Sequence, residues 1–123
     1  MVGWGHASEN PKLGDLLTQK SAELGRDITF VGPQSSVMRI LGDKIGANLV
    51  AQSAGVSVPP WNGDGLPADL DENNRIPQSN FDAACITTED EAVEAAERVG
   101  YPVMLKASEG GGGKGIRMAE DEL

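Results

Sequence analysis

Apolar positions along this chain recur at two spacings, and the spacing decides the element. Leu13, Leu16, Leu17 and Leu24 recur at helical intervals, so one face is apolar from Pro11 to about Gly25. Asn10 stands where an N-cap belongs, Pro11 at the first helical position and Gly25 at a C-terminal stop. Ile28 to Val31, closed by Gly32-Pro33, reads as a short buried strand, and helix then strand suits the closing piece of a parallel α/β sheet. Ser35 or Ser36 can cap a second helix with Val37, Met38 and Leu41 inward and Gly42 as its end. Asp43 then caps a third helix, Lys44 to Ala54, packing through Ile45, Leu49 and Val50 and closed by Gly55. Val56 to Val58 reads as a short strand, and residues 61–80 as a loop rich in Gly, Asp, Asn and Pro. Phe81 to Ile86 fits a strand or a turn. Thr88 and Glu91 have capping-box spacing and open a helix to about Val99, with Ala92, Val93, Ala96 and Val99 on one face. Gly100 and Pro102 end it. Tyr101 to Lys106 and Ile116 to Met118 then read as strands, and Glu120 to Leu123 as the first turn of another helix.

Between these last two strands, five glycines fill six positions, Gly110, Gly111, Gly112, Gly113 and Gly115, interrupted by Lys114. Such a backbone is costly to order, because glycine loses more conformational freedom than any other residue. It is tolerated where backbone N–H groups must approach a ligand, and phosphate is a common one. Lys106, Lys114 and Arg117 add positive charge, which argues against the plainer reading of a flexible linker. A Walker loop would require Lys and Ser/Thr directly after Gly115, where Ile116 and Arg117 stand. Gly110, Gly112 and Gly115 match Gly-x-Gly-x-x-Gly, but that is nearly automatic in this run, and a strand follows where a dinucleotide fingerprint needs a helix. In a protein kinase the lysine follows the glycine loop; here Lys106 precedes it. What remains is strand, phosphate flap and strand, with a lysine closing the first strand. Lys44 stands in the first turn of a helix, where a cation is unfavourable unless an anion is shared. Pattern alone favours an ordinary surface lysine there.

Tyr-Pro-Val-Met-Leu-Lys-Ala-Ser-Glu-Gly-Gly-Gly-Gly-Lys-Gly-Ile-Arg, from Tyr101 to Arg117, resembles the ATP-grasp lid of the biotin carboxylase family. Its wording is similar to that of the multidomain acetyl-CoA carboxylases of eukaryotes. Gly3-Trp4-Gly5-His6-Ala7-Ser8-Glu9-Asn10-Pro11, Phe30-Val31-Gly32-Pro33, Leu41-Gly42-Asp43-Lys44-Ile45 and Val58-Pro59-Pro60-Trp61 follow the family order, so the resemblance runs along nearly the whole chain. It implies an incomplete α/β fold. Residues 1–33 are expected to end the Rossmann-like N-terminal subdomain that precedes the ATP-grasp region. Residues 34–100 form linking helices and an acidic loop, and residues 101–123 begin the strand–flap–strand lid. At 123 residues the chain is several times shorter than the family module, so it is expected to be an internal segment or a truncated form.

The resemblance also implies chemistry. The family's Gly-Asp-Lys lysine contacts ATP phosphates, which reverses the plain reading of Lys44. Lys106 is expected at the α- and β-phosphates and Gly110 to Gly115 over them. Lys114 is expected on phosphate or in solvent. The family reaction is ATP-dependent carboxylation of biotin by bicarbonate through carboxyphosphate, supplying malonyl-CoA for fatty-acid synthesis. The ligands of Mg²⁺ or Mn²⁺, the biotin and bicarbonate sites and the catalytic base are expected beyond residue 123, so no catalytic residue is assigned within the chain. A biotinylated carrier domain and a homo-oligomer are the implied partners. Two alternatives are a non-catalytic chain that pairs with full-length carboxylase and a segment of pyruvate or propionyl-CoA carboxylase.

The formal net charge of −9 disfavours nucleic acid and anionic membrane surfaces as partners. Ten of the nineteen acidic residues lie between Asp64 and Glu97, which reads as a solvated face. The single cysteine, Cys85, fits a reducing compartment, and no targeting segment or long apolar run is visible, so the cytoplasm is expected, with a plastid as the other option. His6, the only histidine, is expected to order its loop, Glu9 and Asn10 to cap, and Trp4 and Trp61 to pack.

Overall fold

The computed structural model describes residues 10–108 and 113–121. Readings that fall on Trp4, His6, Glu9, Gly110, Gly111 and Gly112 lie outside the described residues. In chain order the elements are α1 (Pro11–Leu24), α2 (Ser35–Leu41), α3 (Lys44–Ser53), α4 (Gln78–Ala83), α5 (Glu89–Val99), β1 (Val103–Lys106) and β2 (Ile116–Ala119).

Local chemistry sets most helix ends. Asn10 Oδ1 accepts from the Lys12 amide at 3.0 Å, and Gly25 takes the left-handed conformation (φ 56°) that lets the chain turn back on α1. Asp43 caps α3 by accepting from the Gly46 amide at 2.8 Å. At the far end Gly55 (φ 72°) is left-handed, and the Val56 amide returns to Ala51 O at 2.9 Å. Thr88 and Glu91 form the expected capping box on α5.

α2 departs from expectation in two ways. Gln34, with no side-chain hydrogen bond, occupies its N-cap, and Ser35 is already helical. The Ser35 side chain instead lies against α1, where a Cβ on the buried Gly14 would stand 2.3 Å from its Oγ. Val37 and Leu41, expected inward, are exposed, while Met38 and Ile40 are half-buried. A helix of two turns follows the neighbour it touches, and α2 touches both α1 and α3. Arg39 also reaches back to Asp15 at 2.6 Å, an exposed pair of small energetic weight.

Two expected strands are absent. A strand persists only where a second one satisfies its amides and carbonyls. Ile28 instead donates its amide to Ser21 Oγ, and Gly32 donates to Phe30 O in a tight turn. Val56 is drawn into the α3 terminus. Phe81 to Ala83 is neither strand nor turn but the end of α4. The one sheet among the described residues is antiparallel, β1 against β2, pairing Val103 with Ala119 and Lys106 with Ile116; no parallel pairing is present among them.

The buried core is small: Leu49 is fully buried, joined by Ala68, Ala84, Ala95 and Ala96. Polar contacts fasten the loop between α3 and α4. Gln52 accepts from the Trp61 indole at 2.8 Å and donates to the carbonyls of Gly63 and Leu66. Asn62 donates to Ala84 O, and Arg98 of α5 donates to Asn62 O at 3.0 Å. The carbonyls of Gly63 and Leu66 thus meet a side-chain donor, and Gly63 O also accepts from the Leu66 amide at 3.2 Å.

Candidate functional site

Three features converge where α3 begins. Asp43 uses its carboxylate on the Gly46 amide, which leaves Lys44 as the first helical residue. The Lys44 side chain crosses to the exit of β1, where Nζ donates to Ala107 O at 2.8 Å and to Ser108 O at 3.3 Å. The Ala107 amide in turn donates to Gly115 O at 2.8 Å and closes the hairpin beyond the Lys106–Ile116 pair.

This places residues 63 and 64 positions apart in sequence in direct contact. Lys106 is exposed and immediately precedes the tethered carbonyls. Lys114 is exposed in the turn that returns to β2, between Gly113 (φ 80°) and Gly115 (φ 72°). Both glycines are left-handed, a conformation that a side chain makes unfavourable, which accounts for glycine at these two positions. Arg117 donates to Ile116 O at 2.8 Å. So Lys44 meets the flap strand end on which Lys106 sits, while Gly110, Gly111 and Gly112 lie outside the described residues. At this point the Lys44 ammonium and the amino end of α3 offer positive charge and N–H donors to an anion.

Sequence reasoning missed the bond from Lys44 to the β1 exit, and no local signal could have shown it. It also gave Trp61 packing alone, whereas its indole is held by Gln52. Among the described residues, no group of three or more His, Cys, Asp or Glu side chains could hold a metal ion. No helix of the described residues is long and apolar enough to cross a membrane.

Comparison with known proteins gives the chain its relatives. Residues 69–123 match the family described as the carbamoyl-phosphate synthase L chain, ATP binding domain. The chain is 56% identical over 116 residues to the acetyl-CoA carboxylase of Dictyostelium discoideum, a match covering 94% of this chain. It is 49% identical over 120 residues to acetyl-CoA carboxylase 1 of Oryza sativa subsp. japonica and 46% identical over 125 to the Saccharomyces cerevisiae enzyme, each match covering 98% of this chain. The chain spans only 5% of the length of each of these relatives. Among solved structures, the biotin carboxylase domain dimer of Hydrogenobacter thermophilus 2-oxoglutarate carboxylase, in complex with MgADP, ADP and bicarbonate, superposes with a TM-score of 0.69 at 34% identity. That match covers 97% of this chain and 20% of the other.

Proposed function

Because the chain belongs to the acetyl-CoA carboxylase family, as a segment of its biotin carboxylase part, we propose that it supplies one wall of an ATP-phosphate site. The observation that carries this reading is the meeting of Lys44 with the exit of β1, beside Lys106. Moving a phosphoryl group onto bicarbonate builds up charge on phosphate oxygens, which fixed cations and N–H groups neutralise. In this reading Lys44 and Lys106 are phosphate ligands. Gly110, Gly111, Gly112, Gly113 and Gly115 present backbone N–H groups, and Lys114 adds charge. The solved carboxylase domain, with MgADP and bicarbonate bound, supports the nucleotide and the carboxyl donor. In this reading the ligands of Mg²⁺ or Mn²⁺ lie outside this chain.

The whole-enzyme reading is bicarbonate-dependent carboxylation of biotin on a carrier domain, by a homo-oligomer in cytoplasm or plastid, as the first step towards fatty acids. The division at residues 33 and 100 belongs to the same reading. The relatives at 46–56% identity are acetyl-CoA carboxylases, which supports acetyl-CoA as the eventual acceptor. Pairing with full-length carboxylase is favoured by one observation, the exposure of Met104, Leu105 and Met118 on the hairpin; co-purification with the intact enzyme tests it.

ATP titration calorimetry on the chain and on Lys44→Met and Lys106→Met tests the site. Each variant is expected to bind roughly tenfold more weakly, the scale of one lost charge-assisted hydrogen bond. Equal affinity in all three, or no binding by the unsubstituted chain, overturns the assignment. The chain alone is expected not to hydrolyse ATP, even with biotin and bicarbonate present; turnover would place the remaining catalytic groups within it.

A further inference from the structure

Two consecutive carbonyls, those of Ala107 and Ser108, take the Lys44 ammonium as donor. Bonds from an ionised donor are about twice as strong as neutral ones. The hairpin they hold is otherwise poorly packed: Met104 is 53% exposed, Leu105 43% and Met118 59%. A two-stranded ribbon with so little covered apolar surface is marginal without outside help. Lys44 itself stands at the first position of α3, where its charge opposes the helix dipole, so the helix alone gives no reason for a lysine there.

We propose that Lys44 is a positioning residue as well as a phosphate ligand. Its ammonium docks the exit of β1 on the amino end of α3 and so sets where Lys106 stands. A polyphosphate competes with the two carbonyls for the same N–H donors. The docking is independent of the phosphate reading, whereas the competition rests on it.

Amide hydrogen exchange on the 123-residue chain, without ligand, reads the docking directly. The reporter is the Ala107 amide, which is bonded to Gly115 O. In Lys44→Met its exchange is expected to quicken roughly tenfold. The amides of Leu49 and Ala96, in α3 and α5, are expected to keep their rates. Methionine removes a charge that opposes the helix dipole, so α3 is expected to form. Lys44→Gln, which keeps a neutral donor, is expected to fall between, and Lys44→Arg to restore slow exchange. An unchanged Ala107 rate in both neutral variants overturns the docking.

Inorganic tripolyphosphate is then added to the unsubstituted chain, with binding followed by calorimetry. Binding should raise the Ala107 rate towards that of Lys44→Met and leave the variant's rate alone. Binding without a rate change overturns the competition. Failure to bind overturns both the competition and the phosphate reading, while the docking stands on the ligand-free rates.

Discussion

Glu91 shows how much one side chain can organise. Its carboxylate accepts from the Thr87 amide at 2.8 Å, the Thr87 hydroxyl at 3.0 Å and the Thr88 amide at 3.1 Å. The Thr87 backbone bond, then the Thr87 hydroxyl, hold its pKa below the ordinary 4.5. A carboxylate whose pKa falls on folding adds stability that is complete above its unfolded value and is lost as pH falls through the folded one. Thermal melts should therefore show α5 losing this contribution as the solution is acidified below 4.5. Glu91→Gln keeps hydrogen-bonding capacity without the charge, and its melts should lack that component. Identical acid profiles for the two proteins would mean the capping box carries no pH-dependent weight.

Helices α1, α2 and α3 pack through glycines, but the two contacts differ in what they can yield. A Cβ at Gly14 would press on the Ser35 hydroxyl, which can rotate away. A Cβ at Gly46 would stand 2.7 Å from Ile40 O, a backbone atom at the end of α2 that cannot. Gly14→Ala is thus expected to be near neutral or slightly stabilising, since alanine favours a helix interior by up to about 1 kcal/mol. Gly46→Ala has the same gain but forces two helices apart, and a net loss of roughly 1–2 kcal/mol is expected in urea unfolding. Equal stability of the two would show that the α2–α3 contact gives way as readily as the α1–α2 one. Element ends were legible in the sequence because Asn10, Asp43, Thr88, Gly25 and Gly55 act within one turn. The strand readings at Ile28 to Val31 and Val56 to Val58 failed because a strand is defined by its partner, which local pattern does not contain. The inward face of α2 failed for the same reason: contacts with α1 and α3 chose it.

At the scale of the whole chain, the candidate site was half legible as a pattern of residues. Lys106, Lys114 and the glycine run could be read from composition and order, since flanking strands and cations sit together in sequence. The role proposed for Lys44 needed the resemblance, and its contact with Ala107 and Ser108 needed the fold. The small core has a thermodynamic consequence. Among the described residues Leu49 is the one large side chain fully buried, and the other buried apolar residues are alanines. Meanwhile Leu16, Leu24, Val31, Leu41 and Val56 remain more than half exposed. Unfolding therefore brings little new apolar surface to water, and it is this surface that raises the heat capacity of a denatured chain. Scanning calorimetry should find a heat-capacity increment below the usual ~12–15 cal/mol/K per residue, with a shallow urea slope beside it. Heat would melt this chain over a broad range, and cold would weaken it less than a protein built around a large apolar core.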